Sequence, residues 1–214
     1  MAEEVVEFYN ENLERIGQGT KTELRKNGYW CKSIHCWIVR PTKPGYVLFQ
    51  KRGAHKKIFP NTLDISAAGH YKVGEQLSDG VREISEELNL NIDFNSLVPL
   101  GLKLDVAKVG ENIVHEFCYC YFLRNDKIPN EYELGLDEVE GLVEISIPDG
   151  LDLFSGAKNE VKATGVEFDN ETKTWNNISI MVNPSHFIPR VDNYYYRIFI
   201  LAERYLKGEK HLVI

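Results

Sequence analysis

The run VHEFCYCYFL, from Val114 to Leu123, is nearly unbroken in apolar and aromatic residues. A strand of that kind is buried on both faces and belongs in the middle of a sheet. The rest of the chain supplies its neighbours. SIHCWIVR and YVLFQKR, joined by the turn KPG, read as a hairpin rich in β-branched and aromatic residues, and TLDISAAG and LVPLGLKLDV read as further strands. VVEFY and LERIG read as a hairpin across NEN, although Val5, Val6, Tyr9 and Leu13 also fit a helix. Thr20 and Glu23 have the spacing of a capping box, so KTELRKN forms a short helix stopped at Gly28. Towards the end, GLVEISIP reads as a strand and GVEFDNETKTWNNISIMV as a hairpin with Asp169, Asn170 and Thr172 at its tip. NYYYRIFILAERYL reads as a helix with Tyr195, Phe199, Ala202 and Leu206 near one face. Strands and helices mix without βαβ regularity, which predicts an α+β chain or a mixed sheet covered by helices.

A chain of 214 residues with 43 % apolar and 27 % charged residues can bury one full core, and a single domain is expected. The net charge of −7 argues against a sequence-independent grip on nucleic acid, which needs clustered Lys and Arg. There is no apolar run of about 18 residues, so no membrane span is expected. The polar start MAEEVVEFYN lacks a signal-peptide core, so the expected location is the cytoplasm. Cys31, Cys36, Cys118 and Cys120 lack the spacing of a zinc knuckle and read as buried, inert thiols, with Cys118 and Cys120 on the same side of a strand.

Chemistry concentrates in GHYKVGEQLSDGVREISEELNL, residues 69 to 90. On a helix spanning roughly 77–89, Leu77, Val81, Ile84 and Leu88 form a core stripe, while Glu83, Glu86 and Glu87 share another face at i, i+3 and i+4. From Leu77 to Leu90 Arg82 is the one cation, so the carboxylates repel without local compensation. A divalent cation with hard oxygen ligands, Mg²⁺ or Mn²⁺, accounts for keeping them together. Gly69 and Gly74 bracket a loop that brings backbone close to metal or phosphate. Glu75, just before the helix, can hold that loop by accepting backbone N–H groups. Any one of these acids by itself reads more naturally as a solvated helix residue.

Gly69, Glu75, Arg82, Glu83, Ile84, Glu86, Glu87 and Leu90 resemble, in order, the signature of the Nudix hydrolase family. The chain departs from it twice: six residues rather than seven separate Glu75 from Arg82, and Asn89 replaces a late glycine. Both departures leave the acidic face intact, since Asn tolerates left-handed backbone at a helix end. Over roughly residues 5–125, WCKSIHCWIVR, LFQKR, FPNTLDISAAGH and HEFCYCYFL resemble the branch close to isopentenyl-diphosphate isomerase. That enzyme needs a cysteine before the Gly-His pair, where this chain has Ala68. Cys31 and Val114 stand where the branch and the isomerase carry a histidine and a glutamate.

The resemblance implies a Nudix α/β/α sandwich with a mixed central sheet and helices on both sides. It implies one domain over 1–214, with a hairpin and short helix in 1–28 and a C-terminal extension packed on the core in 125–214. The implied activity is Mg²⁺-dependent pyrophosphohydrolysis of a nucleoside diphosphate linked to another group, with Mn²⁺ as a substitute. An isomerase-like enzyme and a non-catalytic nucleotide sensor are the alternatives; Ala68 speaks against the first and the retained acids against the second. Implied metal ligands are Glu83, Glu86, Glu87 and the Gly69 backbone. Arg82, Glu83, Glu86 and Glu116 are the implied catalytic set: Arg82 orients Glu83, and Glu116 is a further ligand or general base. Gly69, Gly74 and Glu75 organise the loop. Arg52 and Lys51 are candidates for phosphate contact, and read equally well as solvated residues at a strand end. His70 is a candidate for substrate contact and His35 for the site, against the more common reading of a lone histidine on an apolar strand as a hydrogen-bonded core residue. Tyr194–Tyr196 reads as helix packing in preference to a substrate wall, and HFIPR as the lead into the last helix, able to close over the cleft. The implied partner is a small diphosphate molecule, and the resemblance allows a homodimer.

Overall fold

The structure is a computed structural model that describes residues 3–56, 58–136 and 138–214. Met1 and Ala2 of the polar start, Lys57 of the loop GAHKKIFPN and Asp137 lie outside the described residues. The strands are β1 (Val5–Tyr9), β2 (Arg15–Thr20), β3 (Trp30–Arg40), β4 (Tyr46–Arg52), β5 (Leu63–Ile65), β6 (Ala67–His70), β7 (Val98–Val109), β8 (Asn112–Arg124), β9 (Val139–Ser146), β10 (Val161–Asp169) and β11 (Thr174–Val182). The helices are α1 (Lys21–Asn27), α2 (Val81–Leu88), α3 (Ile147–Ser155) and α4 (Tyr194–Leu206). Among the described residues no helix is long and apolar enough to cross a membrane.

All the strands join one sheet, in the order β11-β10-β9-β4-β3-β1-β2, with β5 on β4, β6 and β8 on β3, and β7 on β8. Strand β3 is the hub. It runs parallel to β8 from Trp30–His115 to Val39–Arg124 and antiparallel to β1, β4 and β6, so the sheet is mixed, as expected. Period-two alternation sorts most of the central side chains into two large cores, beside a third, small cluster of Val6, Phe8, Leu24 and Cys31. Trp37 and Val39 of β3 and Cys118, Cys120 and Phe122 of β8 enter one, together with Tyr194, Tyr195, Phe199 and Ala202 of α4. Ile34, Cys36 and Ile38 with Tyr121 and Leu123 enter the other, with Ile84 and Leu88 of α2. Helices therefore cover both faces. The four cysteines are buried and free, and Cys118 and Cys120 share a face.

Local chemistry explains where the expected boundaries shift. The first hairpin forms, but its second strand starts at Arg15: Asn10 accepts the Asn12 and Glu14 amides at 3.0 Å, and Leu13 takes φ 63° in the turn. The capping box of Thr20 and Glu23 and the left-handed Gly28 are both present at the ends of α1. The helix expected over 77–89 divides into a 3-10 turn, Leu77–Gly80, and α2. Gly80 packs where a Cβ would meet the Tyr71 hydroxyl at 2.7 Å and Ile34 at 2.9 Å, a closeness that only glycine permits. Asn89 ends α2 with φ 49°, filling the late-glycine position.

GLVEISIP is only partly a strand. Ser146 ends β9 and caps α3 by accepting the Asp149 amide at 3.2 Å; Pro148, which cannot donate to a ladder, sits in the first helical turn. The hairpin of β10 and β11 has its expected tip, where Asp169 accepts the Glu171 and Thr172 amides. Because β9 pairs with β4 and α3 packs on α4, the last third of the chain extends the same sheet and core.

Candidate active site

Strand β6 and helix α2 meet along one wall of a cleft of about 730 Å³. Ile84 and Leu88 anchor α2 in the core, which turns Glu83 and Glu87 against β6, only 7 % and 3 % exposed. Glu87 accepts the Ala68 amide at 2.9 Å and the Gln50 side-chain amide at 3.2 Å. Glu83 lies over Gly69, where an added Cβ would fall on its carboxylate, so this glycine is required by a close approach. Glu86 lines the cleft too, but half of its side chain is exposed. The three acids thus share a helix face and cleft while two are buried and one sits at the rim.

Arg82 ties the stretch together. It donates to Glu75 at 2.8 and 3.1 Å, to Glu86 at 2.8 Å and to the His70 carbonyl at 3.2 Å, and pairs with Glu83 at 2.9 Å. Glu75 also accepts the Lys72 amide at 2.7 Å, and Gly74 turns the loop between them with φ 83°. Burial would raise the Glu75 pKa, but Arg82 and the Lys72 amide outweigh it and hold the carboxyl below its usual range.

Two carboxylates buried side by side are costly unless something compensates them. Burial, with the adjacent Glu83 charge, pushes Glu87 well above the ordinary 4.5; burial also raises Glu83, against the pull of Arg82. With Gly69 letting the Glu83 carboxylate lie directly on the β6 backbone, this set of oxygen donors fits a hard divalent cation. The folded chain without metal therefore holds protons at Glu83 and Glu87 more tightly than the unfolded chain does, and its stability falls as pH rises above 4.5. Glu75 and Glu116, shifted downward, act in the opposite sense and only below that value. His35, which burial lowers to about 4, also opposes the fall, but only below its ordinary 6.5. Urea unfolding in EDTA from pH 4.5 upward should show stability declining, with His35 offsetting part of the decline below 6.5, and a saturating divalent cation should abolish it. A flat profile in EDTA would contradict this electrostatic account.

On the floor, Glu116 of β8 pairs with His70 at 3.1 Å. Burial would raise Glu116, but His70 outweighs it and keeps the carboxyl well below the carboxylate range. Donor atoms of Cys31, His70 and Glu116, and of His35, Glu116 and Cys118, lie within 4.8 Å of one another in each set. His35 also contacts the Tyr194 hydroxyl at 2.9 Å, and that hydroxyl accepts from Trp37 Nε1 at 2.8 Å. Tyr194 and Tyr195 pack in the core and do not line the cleft, in agreement with the packing reading.

Arg52 reaches the cleft wall with its donors engaged by the Phe59 carbonyl at 3.1 Å, the Ile58 carbonyl at 3.1 Å and Asp64 at 3.2 Å. Lys51 is turned away to Glu167 and does not line the cleft, so the expected phosphate contact is not in its reach here. In HFIPR, Ile188 donates its amide to Leu63 O at 3.1 Å, while Arg190 grips Asp64 and Asp105, which fixes this segment as a cleft wall. Gln50, Asp64, Asp105 and Glu138 were not legible from the sequence: each reaches the cleft from a different stretch of the chain and belongs to no local pattern.

No family model matches the chain. An uncharacterised Nudix hydrolase of Clostridium acetobutylicum is 36 % identical over 196 residues, which cover 91 % of this chain and 95 % of that protein. A Nudix hydrolase of Deinococcus radiodurans is 28 % identical over 130 residues, 60 % of this chain and 72 % of the relative. The crystal structure of the D. radiodurans protein DR0079 superposes with a TM-score of 0.54 at 23 % identity, covering 72 % of this chain and 91 % of that one, and shows the same fold.

Proposed function

Since the chain belongs to the Nudix hydrolase family, we propose that it is a Mg²⁺-dependent pyrophosphohydrolase acting on a nucleoside diphosphate linked to another group. The observation that carries this reading is the buried pair Glu83 and Glu87 set against Ala68 and Gly69, with Arg82 holding Glu83. Glu83, Glu87 and the Gly69 carbonyl would hold the cation, with Glu86 joining from the rim. A divalent ion held there would offset diphosphate charge and lower the pKa of the attacking water.

The chain's own residues prepare the rest. Arg82 fixes the Glu83 carboxylate by a charge-assisted contact and ties the Glu75 loop to α2. Ala68 N–H and Gln50 orient Glu87. Glu116, held ionised beside His70, is a weak proton acceptor and serves better as a ligand; Glu86, open at the cleft rim, is the acid that meets the attacking water. His70 positions Glu116 and Arg52 shapes the wall on which substrate rests. We further infer that residues 1–214 act as one Nudix domain, which β9 pairing with β4 supports. In the isomerase-like reading a thiol would stand at position 68, where Ala68 has none, so hydrolysis is preferred.

Incubation with nucleoside diphosphate derivatives and Mg²⁺, with the products resolved by chromatography, tests the proposal. Cleavage of the diphosphate linkage that stops in EDTA is the expected result. A broad panel left intact with both Mg²⁺ and Mn²⁺ would favour the sensor.

A further inference from the structure

Phe59 has φ 50°, left-handed backbone that is an outlier for a bulky residue, and it precedes Pro60, which favours extended backbone in the residue before it. The turn is held from three sides. Arg52 Nε and Thr62 Oγ1 donate to the Phe59 carbonyl at 3.1 and 2.9 Å, and Arg52 Nη2 donates to the Ile58 carbonyl at 3.1 Å. Arg52 is steadied in turn by Asp64, which Arg190 grips from the opposite side at 3.0 Å. Burying such a charge network has a cost, and here it fixes a single turn.

Core packing does not explain that expense. Among the described residues Phe59 joins none of the hydrophobic clusters and contacts no other ring, although Trp37, Phe49, Phe187 and Phe199 are in ring contact. It lines the cleft instead, with Ile58, Ile188 and Pro189. Strain of this kind persists where surrounding structure overdetermines it, characteristically at ligand clamps.

We propose that Phe59 is the stacking platform for a nucleobase of the substrate, presented by the Arg52–Asp64–Arg190 clamp; this rests on the reading of the chain as a diphosphate hydrolase. A heterocycle combines a flat apolar face, which suits the Phe59 ring and its neighbours Ile58, Ile188 and Pro189, with polar edges that suit the polar groups lining the same cleft. Stacking also tolerates different bases, because every base has a π-face. The proposal assigns Arg52 a positioning role through Phe59.

Calorimetric titration separates the alternatives. The probes are α,β-methylene-ADP, α,β-methylene-CDP and methylenediphosphonate, whose bridging carbon resists cleavage, each with Mg²⁺. Phe59→Gly removes the ring while suiting the left-handed backbone, and Phe59→Trp keeps a ring; thermal melting verifies that both fold. Expected is a loss of at least about fivefold in affinity for both nucleotide probes in Phe59→Gly, near-native affinity in Phe59→Trp, and unchanged binding of methylenediphosphonate. Equal weakening of all three probes, or no weakening, overturns the platform. Wild-type binding of methylenediphosphonate with no preference for the nucleotides overturns it too, while leaving the diphosphate reading intact; failure of all three probes to bind sinks that reading itself.

Discussion

Glu87→Gln is expected to lower kcat/KM by about 10²–10³-fold while leaving the fold intact. The amide is nearly the same size and can still accept the Ala68 amide that now reaches Glu87 at 2.9 Å. What disappears is the charge. Because burial and the Glu83 charge push the Glu87 carboxyl well above its ordinary range, the metal-free variant should melt no lower than the wild type and should lose most of the pH-dependent fall in stability. Metal-induced stabilisation should vanish with activity, since a ligand stabilises only the state it binds. Thermal melting with and without Mg²⁺, run beside the kinetic assay, reads both effects. A variant that keeps its turnover, or that keeps its Mg²⁺-dependent rise in melting temperature, would remove Glu87 from the proposed metal site.

Gly69→Ala tests the same centre by shape. The added methyl would fall on the Glu83 carboxylate, so either β6 or the Glu83 side chain must move. Overpacking of this sort costs about 1–3 kcal/mol, and displacement of a catalytic carboxylate by about 1 Å costs on the order of 10²-fold in rate. Gly74→Ala is the natural control. Gly74 has φ 83° but nothing within 4 Å of an added Cβ, so its substitution strains the loop without touching an acid. Urea denaturation and steady-state kinetics on the two variants should therefore diverge, with Gly69→Ala losing far more activity per unit of lost stability. Similar activity losses would show that the Gly69 contact has no special part in the site.

Local sequence already carried a large part of this site. Spacing of i, i+3 and i+4 put Glu83, Glu86 and Glu87 on one helical face, and the capping signals of α1 and the tip of the β10–β11 hairpin were readable within a few residues. Helix α3 also had local signals, Ser146, Pro148 and Gly156, but the apolar run of GLVEISIP masked them. Arg52 shows the opposite limit. From the sequence it is either a phosphate contact or a solvated strand-end residue, yet its partners, Asp64 and two carbonyls of the Phe59 turn, follow from the way β4 and β5 close that turn.

The sequence by itself determined the α+β character, the apolar centre of the sheet and the acidic face of α2, because each is written in a short-range period that backbone geometry converts directly into a surface. Tertiary structure alone decided which acids are buried. Glu83 and Glu87 face β6 while Glu86 stays at the rim, Glu116 meets His70, and Phe59 is held in a left-handed turn by a clamp that includes Arg190. Burial, charge pairing and backbone strain are set by contacts between residues far apart in the chain, and a period read along one segment contains no information about what packs against it.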